Sequence, residues 1–205
     1  MFHTGALWLQ FVRGGLSMVS LWCLFYGFAA LPLADATAVT YTRAVFLTLL
    51  ADVVLREPTS PKHWISLGVG AAGGFAILHP AFAAWSPGYL VALIGAALNA
   101  GAMVATKALE RRDSTLTIMA WLTAIATALS LPALADAPLP AWTWPWLAVA
   151  SICGTLGLYA GLMAIRASSL SVLAPFDYSR LVMAAALGWL FFDEMPNLSS
   201  LAGAA

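Results

Sequence analysis

Two arginines and an aspartate stand where the residues around them avoid water. Asp177 and Arg180 lie three apart in "SVLAPFDYSRLVMAAALGWLFF", and Arg43 lies in "YTRAVFLTLLADVV". A guanidinium offers five donors in a planar fork that suits a carboxylate or phosphate. A charge at a bilayer centre costs at least ~2.5–3.5 kcal/mol, so it needs a partner, water or a ligand. Two readings follow. In the first, Arg43 and Arg180 face an anionic group across a polar cavity. In the second, Asp177 and Arg180 pair along one helix face at i, i+3, and Arg43 docks on Asp177 from another helix. Tyr41 and Tyr178 each precede an arginine by two residues, and their hydroxyls can serve a substrate or a backbone carbonyl. Asn99, in "GAALNAGAM", either lines the same cavity or bonds between helices. Trp22, Tyr26 and Tyr159 are aromatic candidates for the cavity wall. Pro175 removes one helical hydrogen bond beside Asp177, which makes it a packing kink or a hinge.

Other chemistries find little support. His3, His63 and His79 are scattered near the ends of apolar runs, with no metal-ligand spacing, nucleophile–base set or Gly-rich phosphate loop. No enzyme activity, metal or cofactor is expected. Cys23 and Cys153 read as small hydrophobes. Nine basic and nine acidic residues balance, so nucleic acid is not an expected partner.

The elements that must hold these residues are membrane spans. The chain has 205 residues, 62% hydrophobic and 9% charged, too few charges to cover a water-facing surface. Seven stretches are long and apolar enough to cross a bilayer: roughly 11–30, 33–55, 63–82, 87–107, 115–134, 143–165 and 170–192. In lipid such runs must be helices, so the fold class is an all-α, polytopic helical membrane protein. Asp52 and Arg56, four apart at a span end, are placed to pair. Gly157 and Gly161 read as a small-residue stripe for close helix packing. Arg13, Arg56, Lys62, Lys107, Arg111, Arg112 and Arg166 fall before span one and after spans two, four and six, while the alternate connectors carry no Lys or Arg. The positive-inside rule then puts the N-terminus in the cytoplasm and "ADAPLPAWTWPW" outside.

"YTRAVFLTLLADVVLREP" also overlays "YSRLVMAAALGWLFFDEM", with Arg43 on Arg180, Tyr41 on Tyr178 and Glu57 on Glu194. By the charge rule the two copies cross the membrane in opposite directions. Inverted repeats are a signature of secondary transporters, whose substrate site lies at the repeat interface near the midplane.

The segments "FVRGGLSMVSLWCLFYGFAALPLADATAVTYTRAVFLTLLADVVLREP" and "WISLGVGAAGGFAILHP" resemble the EamA-type branch of the drug/metabolite transporter superfamily. The second copy, "YSRLVMAAALGWLFFDEMP", fits the same pattern. The resemblance implies a multi-pass transporter of small metabolites built from an inverted five-plus-five helix repeat and working by alternating access. It assigns 1–82 to the last three helices of a first repeat and 83–205 to a second repeat lacking most of its final helix. On that comparison the chain begins at a third helix, stops as a tenth begins and is expected to be an incomplete copy. The expected partners are the bilayer of the cell membrane and a small-molecule substrate, anionic or zwitterionic, with a homodimer left open. The alternatives are a non-transporting helical fragment or partner subunit, and a seven-helix receptor or sensor.

Overall fold

Leu7–Ala30 holds one charge in 24 residues and no proline, and it forms the unbroken helix α1. The computed structural model describes residues 4–56, 60–78, 86–135, 140–179 and 183, and all the regular structure in them is helical. Pro32 closes the α1 register, and α2 (Leu33–Tyr41) and α3 (Arg43–Leu55) follow with only Thr42 between them. Then come α4 (Pro61–Leu78), α5 (Pro87–Glu110), α6 (Thr115–Ala135), a 3₁₀ turn at Ala141–Thr143, α7 (Trp144–Ala167), α8 (Leu170–Leu173) and a 3₁₀ segment at Ala174–Tyr178. The start of α5 is sharply set. Ser86 is its N-cap and accepts from the Gly88 amide at 3.2 Å, and Pro87 occupies the first turn, where its missing N–H costs nothing.

Helix α5 is the centre of the bundle: α1 lies along it, and α2, α3, α6 and α7 also pack on it. Lipid gives helices no hydrophobic reason to associate, so close backbone approach and interhelical hydrogen bonds must do so. The α1–α5 seam has both. Ser20 Oγ donates to the Gly95 carbonyl at 2.9 Å, and a Cβ added at Gly95 would lie 2.7 Å from Cys23 Cβ. Small residues also let α3 approach. Ala44, Leu47 and Ala51 of α3 meet Ala100 and Val104 of α5, with Leu67, Ile165, Leu170 and Ala174 closing the cluster. A second cluster, Leu109, Ile118 and Leu162, joins α5, α6 and α7.

The exterior is apolar. Trp8, Phe11, Trp22, Phe25, Val53, Ile65, Trp144, Trp146, Ile152 and Leu156 are all exposed. Such a surface suits lipid and not water. The protein is a polytopic helical membrane protein. Four helices of the described residues are long and apolar enough to cross a bilayer: Leu7–Ala30, Asp35–Leu55, Pro87–Glu110 and Trp144–Ala167. The shorter α4 and the apolar α6 fall on two further stretches expected from the sequence. The last expected span, 170–192, is described only through 179 and at 183. Its α-helix gives way to 3₁₀ at Ala174, just before Pro175, whose ring cannot continue α-helical hydrogen bonding.

Candidate functional site

Threonines shape the segment that carries Arg43. Thr37, Thr40 and Thr42 turn their hydroxyls back on the carbonyls of Leu33, Ala36 and Val39, at 2.6, 2.9 and 2.6 Å. Such back-bonding competes with the helix ladder and bends it. At Thr42 the ladder tightens: its amide bonds to Val39 O at 3.0 Å, and Val45 N bonds to Thr42 O at 3.0 Å, both one residue short of the α pattern. A mid-helix stretch of 3₁₀ bonding is a recurrent hinge feature. Arg43 is the first residue beyond it.

From there Arg43 Nη1 donates to Asn99 Oδ1 of α5 at 3.2 Å. The two polar residues singled out in separate spans are therefore hydrogen-bond partners. They also stand between two cavities. One, about 320 Å³, is lined by Arg13, Ser17, Arg43, Asn99, Thr106, Gly157, Gly161 and apolar neighbours. The other, about 50 Å³, is lined by Ser20, Leu24, Thr40, Arg43, Asn99 and small residues of α5. Among the described residues, the larger cavity has two arginines and no carboxylate in its wall.

Arg13 is the residue that sequence reasoning misplaced. Its place in the sequence puts it with the basic residues outside the spans, but it lies inside α1 and is 4% exposed. Its Nε donates to Thr106 Oγ1 at 2.6 Å and its Nη1 to the Ile118 carbonyl at 3.2 Å. It thus ties α1 to α5 and α6 while lining the cavity. The signal for it was position: a charge in the second turn of an apolar run is either an interfacial flank or a functional residue. One turn beyond Thr106, the buried Glu110 lies 3.7 Å from Arg166 Nε, and Thr115 Oγ1 bridges toward both residues. Lys107, likewise expected in a connector, lies in α5 and donates to the carbonyls of Ile165 and Ser168, covering the C-terminal end of α7. Between α5 and α6, the buried Asp113 accepts from Thr4 Oγ1 (2.5 Å), the Gly5 amide (3.1 Å) and Gln10 Nε2 (2.9 Å). Burial pushes its carboxyl up, but these three bonds and nearby Arg112 outweigh burial and hold it below the usual carboxylate range.

The other candidates are dispersed. Tyr41 packs at the edge of the α3–α5 cluster. Trp22, Tyr26 and Tyr159 are exposed and lie outside the walls of both cavities that hold Arg43. Asp177 and Tyr178 fall in the 3₁₀ segment Ala174–Tyr178, which packs near α3 and α4. Arg180 lies outside the described residues. Gly157 and Gly161, expected to serve helix packing, instead face the larger cavity: a Cβ at either would meet nothing within 4 Å. Arg56 leaves the α3 register in a left-handed conformation, so its four-residue spacing from Asp52 is not helical spacing.

Residues 86–205 match the model of the EamA-like transporter family. The chain belongs to that family. It is 31% identical over 197 residues to the pseudopaline exporter CntI of Pseudomonas aeruginosa, an alignment spanning 94% of this chain and 69% of that protein. It is 28% identical over 196 residues to a riboflavin transporter of Rhizobium johnstonii, spanning 92% and 64%. With an S-adenosylmethionine uptake transporter of Rickettsia bellii the figures are 25% over 207 residues, 98% and 69%. The chain therefore spans about two thirds of the length of these curated relatives. A solved structure superposes with a TM-score of 0.79, covering 97% of this chain and 76% of its own, at 22% identity, a likeness of fold alone. EamA-family membership makes this a multi-pass membrane transporter protein of the small-metabolite type and not an enzyme.

Proposed function

We propose that the cavity of about 320 Å³ between α1, α3, α5 and α7 is the substrate site, and that the substrate carries a carboxylate or phosphate. The observation that carries this is the meeting of Arg43, Asn99 and Arg13 in one cavity wall. Guanidiniums in a low-dielectric site favour an anion, and Asn99 meets Arg43 with a neutral amide. A zwitterion fits the same site by its acidic group. The named relatives carry different compounds, so the shared fold leaves selectivity to side chains in this wall.

Transport proceeds by alternating access. The two cavities meet at the Arg43–Asn99 pair, and the tightened turn at Thr42 lets α2 flex against α3 within the first repeat as the repeats rock. The moving units are the inverted repeats 1–82 and 83–205, a division supported by the family match at 86–205. Asp177, Arg180 and Tyr178 belong to the second repeat's half of the site, as Arg43 and Tyr41 do to the first. Trp22, Tyr26 and Tyr159 complete the wall in another conformation, and Pro175 serves as the second repeat's hinge. The protein sits in the cell membrane with its N-terminal end cytoplasmic, on the side where the basic connectors gather.

The test is flux in inverted and right-side-out membrane vesicles over a panel of carboxylated and phosphorylated metabolites. Arg43→Gln should lower flux of the transported compound at least tenfold while the protein still accumulates in the membrane. Unchanged flux in Arg43→Gln would remove the anion-site reading.

A further inference from the structure

A third cavity, about 680 Å³, opens at the end of the bundle where α1 begins and α3 and α5 finish. Arg56, Arg111 and Arg112 contribute to it from two helix ends, and Trp8, Leu9 and Leu55 from the apolar side. None of the described residues lining it is acidic. Asp113 accepts from Thr4, Gly5 and Gln10 and attracts the nearby Arg112, but it is not among the residues that line the cavity.

Arg56 adds an independent observation. It ends α3 with φ 53° and ψ 38°, and among the described residues it is the one non-glycine residue with positive φ. Glycine takes this left-handed cap position without strain. A strained conformation at a charged residue points to a use for its side chain. Here the turn brings a third guanidinium to the cavity shared with Arg111 and Arg112. Trp8 is 79% exposed at the same end, the placement of an indole at a membrane interface.

Guanidiniums above an apolar wall at an interface fit a ligand that is anionic at one end and hydrocarbon at the other. We propose that this cavity binds an anionic phospholipid, with the phosphate among Arg56, Arg111 and Arg112 and an acyl chain along Leu9 and Leu55. A free phosphate would use the arginines and leave the apolar wall and Trp8 without a role. Basic recesses between transmembrane helices on the cytoplasmic side are known to take such headgroups. The site is separate from the substrate cavity, and the proposal does not depend on what is transported.

The test is binding of fluorescent phosphatidylglycerol to the purified 205-residue chain in neutral detergent, with fluorescent phosphatidylcholine alongside. Saturable binding of the anionic probe, at least tenfold tighter than the neutral one, is expected. Each arginine near an anionic headgroup contributes about fivefold, so Arg56→Gln with Arg112→Gln should weaken binding about 30-fold. Lys62→Gln, a charge removed from α4 outside this cavity, should change nothing. Equal affinity for both lipids, an equal loss in Lys62→Gln, or full binding by the double variant overturns the proposal. Inorganic phosphate at millimolar concentration should not displace the probe, and displacement would make this a free-phosphate site and reject the lipid. If the double variant does not elute as a folded species, Trp8→Ala decides: it should weaken binding several-fold, and unchanged binding overturns the proposal.

Discussion

Arg43 and Asn99 are polar residues in apolar runs, and each alone leaves a ligand and a structural partner equally open. Their 3.2 Å bond makes them partners, and the cavity on either side makes the bond a constriction. Asn99→Asp separates these roles. A carboxylate at that position would form a charge-assisted bond with Arg43, about twice as strong as a neutral one. Thermal stability should rise by a few degrees while affinity for an anionic substrate falls at least tenfold, as read by melting curves with and without substrate. Substrate stabilisation equal to that of the unaltered protein would mean that Arg43 does not meet the ligand. Asp113 gives a pH prediction. Its carboxyl is held low, so its stabilisation is present above the ordinary carboxylate range and is lost as pH falls through the depressed value. Melting temperature should drop below about pH 4, the region of unperturbed carboxylates, and Asp113→Asn should flatten that part of the profile while lowering stability at neutral pH. Parallel profiles for the two proteins would contradict the assignment. Arg43 and Asn99 were legible in the sequence because a charge and a side-chain amide stand out deep in apolar runs. Arg13 was not, because a charge near a run's end reads first as a topology signal. Only its bonds to Thr106 and Ile118 reveal it as buried.

Apolar length located the described helices well, since lipid allows a spanning backbone few other forms. The tightened turn at Thr42 escaped notice. Threonine is tolerated in helices, and its hydroxyl competes for the carbonyl only once the side-chain rotamer is known. Glycines misled for a related reason: the same spacing suits either a packed seam or an open wall. Gly95 is the seam case. Gly95→Val must push against Cys23 Cβ, 2.7 Å from even a first carbon, and against the Ser20 carbonyl at 3.4 Å. Overpacking there should cost about 1–3 kcal/mol, measurable as reduced unfolding free energy in mixed micelles, and a neutral outcome would show that α1 and α5 can separate freely. Gly161 is the wall case. Gly161→Leu meets open space, so the protein should keep its melting temperature and membrane level while the enlarged side chain occupies the cavity and blocks flux. Loss of folded protein would instead assign Gly161 to packing.

At the scale of the whole molecule, the alternation of basic connectors predicts one sidedness, and the paired Tyr-x-Arg segments predict two inverted units. Ser114 is exposed between α5 and α6, and Trp142 is exposed before α7. Cysteine at 114 should be labelled by an impermeant thiol reagent only from the cytoplasmic side, and cysteine at 142 only from outside, in a background with Cys23 and Cys153 replaced. Labelling of both from one side would remove the inversion. Asp177 and Arg180 could be read as charges in an apolar run, but spacing along the chain does not say which helix they meet. The substrate cavity itself is probed most directly at Ser17, which lines it on α1 beside Arg43 and Asn99. In the cysteine-free background, Ser17→Cys should react with a small impermeant thiol reagent, and a transported anionic metabolite should slow that reaction in a concentration-dependent way. The protection should disappear when Arg43→Gln is added, with the unprotected labelling rate unchanged. Labelling of residue 17 that is indifferent to every transported compound, or protection that persists without Arg43, would contradict an anion site at this cavity.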